Sequence, residues 1–157
     1  MTLVHGGSLV QIKQDYPDFK GEWLDLSTGV SPYHYEVNDV NLGCLSKLPD
    51  QTELMTDVAR QYYGVDELLM TPGSIWSIKQ LPFILDEYLP KSGIILLPSK
   101  GFAEHRLAWE TAGYEIDVYD GMPQDEQITH ASVCVLINPN NPTGLLLNQN
   151  ELEAILT

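Results

Sequence analysis

The sequence predicts an α/β protein, a three-layer α/β/α sandwich on a mostly parallel sheet. Three observations carry this. Short apolar runs recur near 68–71, 93–98, 114–119 and 132–138, each of strand length. Stretches with helical spacing separate them, and Gly, Pro or Asn marks most of the joins. The composition is globular: of 157 residues, 43% are hydrophobic and 9% aromatic.

The elements follow in order. Residues 1 to about 45 show no sustained period and read as an extended arm, with a short strand around Trp23, Leu24, Asp25 and Leu26. The division expected is an arm over 1–48 and a layered unit over 49–157. Asp50 and Glu53 form a pair like a capping box, Leu54, Val58 and Tyr62 share one helical stripe, and Gly64 stops that helix. A strand is expected over 68–71, then Pro72, Gly73 and Ser74 lead into a helix reaching about Tyr88, with Pro82 inside it to kink or split it. The run 93–98 suits a strand buried on both faces. A helix over about 103–112 ends at Gly113. Residues 114–119 alternate, with Tyr114, Ile116 and Val118 expected inward and Glu115, Asp117 and Tyr119 outward. The run 132–137 is another buried strand. After it, Leu152, Ile155 and Leu156 mark a last helix, capped by Asn148 or Asn150. No stop signal follows that helix, so the chain is expected to be the first half of a larger enzyme.

Charge and composition exclude several functions. Eight Lys+Arg against 22 Asp+Glu give a net charge of −14, with no basic cluster for a nucleic-acid backbone. No apolar run approaches the roughly 20 residues of a membrane span. The N-terminus has no secretory pattern, and Cys44 and Cys134 form no CxxC, so a reducing, cytoplasmic setting is expected. His5, His34, His105 and His130 form no HxxxH pair, and no metal site is expected. There is no GxSxG for a serine nucleophile.

Three strand exits carry candidate chemistry. In Thr71-Pro-Gly-Ser-Ile-Trp76, the free N–H groups of a helix start form an anion site without any lysine, although most such junctions are only turns. In Asn138-Pro-Asn-Asn-Pro-Thr-Gly144, two prolines fix the chain around an Asn amide at the carboxyl end of a buried strand, where α/β ligands collect. In Pro98-Ser-Lys-Gly-Phe-Ala-Glu-His105, the Phe102 ring either packs or stacks on a flat cofactor. His5-Gly6-Gly7 is a weaker candidate, since an N-terminal His is more often solvated.

The order of these pieces resembles the first half of the fold-type-I pyridoxal-phosphate (PLP) enzymes, the aspartate-aminotransferase superfamily. Within it the resemblance is closest to the threonine-phosphate decarboxylases of cobalamin biosynthesis. It rests on HGGSL, WLDLSTGVSP, LPD followed by YGV, PGSIWSIKQLP, FAEHRLAWETAGYEI and INPNNPTG, which cover nearly the whole chain in family order. NPNNPTG indicates the superfamily, whereas HGG, DLSTG and AEHxxAWxxAG narrow the choice.

The resemblance implies a truncated PLP-dependent transferase-like large domain, with pyridoxal 5'-phosphate as cofactor. Gly73, Ser74 and Ile75 then form the cup for its phosphate, Phe102 stacks on its ring, and Asn141 donates to its 3-hydroxyl oxygen. His5, Gly6 and Gly7, with Thr28, Gly29 and Ser31, resemble the arm that closes over substrate. Ser31 stands where the family usually has Asn, and Ile75 and Trp76 are bulkier than usual in the cup. The activity implied is that of a carboxy-lyase, converting the small-molecule amino-acid phosphate L-threonine O-3-phosphate to aminopropanol phosphate, in a homodimer. In this superfamily the cofactor-carrying Lys lies well after NPNNPTG. Here the last Lys is Lys100 and the last Arg is Arg106, so the 157 residues contain no catalytic residue of their own and are expected to be inactive alone. Two alternatives remain: a histidinol-phosphate-type or other class I/II aminotransferase, and a truncated fragment without catalysis.

Overall fold

The computed structural model describes residues 6–31, 33, 34, 36, 43, 46 and 53–156. The chain divides into two compact units, 1–55 and 56–157, each described by itself.

In the first unit, helix α1 (Leu9–Asp15) follows Ser8, whose carbonyl accepts the Ile12 N–H at 3.2 Å. This helix corrects the expectation of a wholly extended arm. Leu9 and Ile12 lie three apart, a spacing that seven residues are too few to make conspicuous. Residues 22–26 form no strand, and Leu24 and Leu26 are exposed with no ladder beside them. Helix α2 (Glu53–Tyr63), most of which belongs to the second unit, runs to Gly64 as expected. Val58 and Tyr62, on its apolar stripe, are exposed. Asp50, the other half of the expected capping pair, lies outside the described residues.

The second unit is organised by β1 (Ile94–Pro98), whose Ile95, Leu96 and Leu97 are fully buried. Helix α4 (Ala103–Thr111) crosses from it to β2 (Glu115–Tyr119), and α5 (Asp125–His130) crosses to β3 (Val133–Cys134). All pairing is parallel in the order β2-β1-β3, with Ile95 opposite Ile116 on one side and Val133 on the other. The core forms where Trp109 of α4 meets Ile95, Leu97 and Tyr114, its indole edge-on to the Tyr114 ring at 5.3 Å. Tyr114 is tied down at its rim, its hydroxyl donating to Asp86 at 2.9 Å while Lys91 donates to the same carboxylate.

Four expectations are corrected in this unit. Residues 68–71 form no strand, because no described strand offers them a ladder, and Leu69 is exposed. Helix α3 (Ser74–Leu85) passes through Pro82 unbroken and stops at Leu85. Pro82 is fully buried, so its packing offsets the missing N–H. On β2 the alternation holds, with Ile116 against the core. Val118 on the same face is exposed, however, and Tyr119 on the other is buried, the reverse of the burial expected for these two. The Tyr119 hydroxyl reaches across to donate to the Val135 carbonyl at 2.9 Å and carries its ring inward. Finally, β3 spans only two residues and forms an edge among the described strands, where a longer buried strand was expected. Helix α6 (Gln149–Leu156) is capped by Asn148, whose Oδ1 accepts the Glu151 N–H while Glu151 accepts the Asn148 N–H in return.

Candidate functional site

Strand order reverses at β1: the chain moves to β2 on one side, then returns to β3 on the other. The crevice outside the carboxyl ends of β1 and β3 is thus a topological switch point, where open α/β sheets hold ligands. Two clefts lie there, of about 140 and 470 Å³, sharing Pro98, Ser99 and Ile137 as walls.

The smaller cleft contains Phe102. The chain leaves β1, turns at Gly101 and enters α4 with Phe102 as N-cap, in extended conformation and without a capping side chain. The Phe102 carbonyl accepts the His105 N–H at 3.1 Å, and the two rings meet edge to face at 6.4 Å. Burial pushes the His105 imidazole below its ordinary pKa, which favours the neutral ring. Arg106 lines the same cleft and donates to Glu110 at 3.3 Å. The wall beside Phe102 is therefore flat and mostly apolar, suited to an aromatic ligand.

The larger cleft is bounded by the loop after β3. Asn138 pins the base of this loop, its amide bonding Leu147 in both directions at 2.9 and 3.1 Å. Asn140 folds the tip: its N–H donates to the Leu145 carbonyl, and its Nδ2 donates to the Lys100 carbonyl and to Thr143 Oγ1, each at 2.7 Å. Its Oδ1 is buried without a partner. Two of the three asparagines are thus committed to the loop. Asn141 is exposed and takes no part in this network, which leaves its amide available to a ligand. It lines neither cleft, and Asn140 lines the larger one.

The helix start at Ser74 suits an anion. Gly73 has φ +105°, a conformation that L side chains rarely adopt, and a Cβ there would meet nothing within 4 Å. The Gly73 carbonyl accepts the N–H groups of Trp76 and Ser77 at 3.1 and 3.4 Å. The N–H groups of Ser74 and Ile75 come first in the helix and have no intrahelical acceptor, and both residues are exposed. These backbone donors and the helix dipole fit a phosphate, and Phe102 fits a pyridine ring. Gly73, Ser74 and Ile75 line neither cleft, and α3 packs on α4, the helix that Phe102 caps.

In the first unit, Gly6 and Gly7 lie against the loop at Ser27 and Thr28. The Gly7 N–H donates to Ser27 Oγ at 2.8 Å, and a Cβ on Gly6 would stand 1.8 Å from the Ser27 carbonyl oxygen, so only glycine allows the approach. Asp25 accepts from both the N–H and the hydroxyl of Ser27, which holds its carboxyl below the usual range. Thr28 Oγ1 accepts the Val30 N–H at 3.4 Å, and Gly29 is open. The Ser31 hydroxyl closes a small turn with Tyr33. His5 lies outside the described residues.

Two features escaped sequence reasoning. Asp120, just past β2, lines the larger cleft and accepts from the Ser99 hydroxyl. Glu104, in the first turn of α4, is buried and meets Lys79 of α3 at 3.3 Å. An Asp after a strand and a Glu in a helix's first turn are too common to single out in a sequence.

Known proteins are similar to this chain. A family model for aminotransferase class I and II matches residues 49–157. Threonine-phosphate decarboxylase of Pseudomonas aeruginosa is 30% identical over 152 residues, which cover 97% of this chain and 44% of that protein. The protein of the same name from a Sinorhizobium species is 30% identical over 158 residues, 98% of this chain and 45% of that one. The chain thus spans less than half the length of these relatives. The crystal structure of L-threonine-O-3-phosphate decarboxylase from Porphyromonas gingivalis superposes with a TM-score of 0.63 at 24% identity, over 74% of this chain and 36% of that one, so the fold is shared. With its parallel sheet, its helix start at Ser74 and its NPNNPTG loop, the chain belongs to the aminotransferase class I and II family.

Proposed function

We propose that these residues form the cofactor-binding half-site of a pyridoxal-phosphate-dependent carboxy-lyase. The whole protein would convert L-threonine O-3-phosphate to aminopropanol phosphate in cobalamin biosynthesis. The observation that carries this reading is the 30% identity, sustained over 97% of the chain, to a threonine-phosphate decarboxylase.

Each of the residues singled out takes one role in this reading. The N–H groups of Ser74 and Ile75 hold the cofactor phosphate, and Gly73 keeps the approach open. Phe102 stacks on the ring. Asn141, spared from the loop's own hydrogen bonds, donates its amide to the 3-hydroxyl oxygen. When bound, PLP supplies an electron sink for the pair released as the carboxylate departs. Residues 1–48 act as the arm, in which His5, Gly6, Gly7, Thr28, Gly29 and Ser31 close over the substrate and exclude water. Residues 49–157 act as the first half of the large domain. A homodimer in the cytoplasm is part of the same reading. Among the described residues no helix is long and apolar enough to cross a membrane.

The test gives threonine phosphate and PLP to the whole protein in a single turnover. Release of CO₂ with aminopropanol phosphate is expected. Accumulation of the aminated cofactor together with a keto acid would replace this reading with an aminotransferase.

A further inference from the structure

We propose that the Lys79–Glu104 ion pair is a positioning device that sets the spacing between the phosphate-binding start of α3 and the stacking ring at the start of α4. The inference rests on the cofactor reading above and adds two residues to it.

Glu104 is 5% exposed, the one charged residue in the buried class among those described. A carboxylate loses hydration when buried, so its place in the packed layer calls for compensation. Two sources are visible. Glu104 sits in the first turn of α4, where the helix dipole favours negative charge. Lys79 of α3 places its ammonium 3.3 Å away, with its stem half in solvent. The pair therefore joins α3 to α4 at a defined point. Lys79 lies in the second turn after Ser74, and Glu104 is two residues past Phe102, so the link joins the N-terminal halves of the two helices that carry the proposed contact points.

Apolar packing alone would leave this spacing loosely specified. The hydrophobic effect is non-directional, so it specifies the spacing less sharply than a contact between charged groups does. An ammonium held against a buried carboxylate resists movement of either helix, because parting them leaves that carboxylate less compensated. A PLP molecule is short and rigid and must reach the N–H groups of Ser74 and Ile75 with one end and Phe102 with the other. Its two ends reinforce each other only where the spacing matches, as for any bivalent ligand.

The test compares three probes that cannot react with lysine: pyridoxine 5'-phosphate, pyridoxine and inorganic phosphate. Binding to the 157-residue chain is followed by equilibrium dialysis, with tryptophan fluorescence as a second signal. The wild type should prefer the phosphorylated ligand to pyridoxine by about tenfold or more. Glu104→Gln and Lys79→Gln, each compared with the wild type only after its urea midpoint confirms a folded chain, should each lower affinity for pyridoxine 5'-phosphate about tenfold. Pyridoxine and phosphate, each needing one contact only, should stay within about twofold. Lys79→Arg should restore the preference. If Lys79→Gln keeps wild-type affinity for pyridoxine 5'-phosphate, or loses all three ligands equally, the positioning role is overturned and the cofactor reading stands. If the wild type shows no preference for the phosphorylated ligand, the cofactor reading falls and this inference falls with it.

Discussion

Helices α3 and α4 pack against each other, and both are rich in apolar side chains, yet those side chains meet different surroundings. On α4, Ala108 and Trp109 are 6% and 1% exposed, because the helix lies on β1 and β2. On α3, Ile75, Trp76, Leu81, Phe83 and Ile84 are all exposed, and only Pro82 is fully buried. Leu85, at the end of α3, packs against the core cluster. Apolar content therefore does not locate the core. Contact with the sheet does, and α4 has it along its inner face.

That contrast can be broken from either side. The largest effect belongs to Trp109, which fills the centre of the core beside Ile95, Leu97 and Tyr114. Trp109→Ala should destabilise the chain by about 3–5 kcal/mol, read from the urea midpoint. A shift no larger than that of a surface substitution would mean that the sheet layer does not dominate stability.

A smaller effect belongs to His105, on the same helix. Burial lowers its folded pKa below the ordinary 6.5, so the unfolded chain takes up the proton first as pH falls. The neutral ring's contribution is complete above 6.5 and is lost as pH drops through the folded value. His105→Gln should flatten the stability profile between pH 7.5 and 5, and identical slopes would refute this. The smallest effect belongs to α3: Phe83→Ser, at an exposed position, should change stability by no more than about 0.5 kcal/mol.

The legible parts of the fold were those specified by local chemistry. β1 was legible as an apolar run with Pro98 at its end, and α4 by its spacing and by Gly113. The last helix was announced by Leu152, Ile155 and Leu156 following Asn148 or Asn150, and the structure adds the reciprocal bond from Glu151. What failed depended on tertiary context. Residues 68–71 have strand composition, but a strand forms only against a partner. Tyr119 is buried on the face expected to be open because its hydroxyl found the Val135 carbonyl, a partner 16 residues away. Helix α5 was missed although Asp125 and Glu126 occupy its first turn and Gln124 and Gln127 form a capping box. The box uses Gln where Ser or Thr is the usual signal. In the candidate site, the motif residues were readable as motifs, whereas the reason Asn141 is the available amide came only from the hydrogen bonds of Asn138 and Asn140. Glu104 had no readable signal at all, because its burial is created by α3.

The central claim is that the helix start at Ser74, the Phe102 ring and the Asn141 amide together form a cofactor half-site, in a sequence with no lysine beyond Lys100. The most direct test is titration of the 157-residue chain with PLP, with inorganic phosphate as competitor, followed by borohydride reduction and peptide mapping. The account predicts saturable, reversible binding that phosphate competes away, with no single lysine carrying the reduced cofactor. Stoichiometric reduction onto one lysine, or binding indifferent to phosphate, would contradict it.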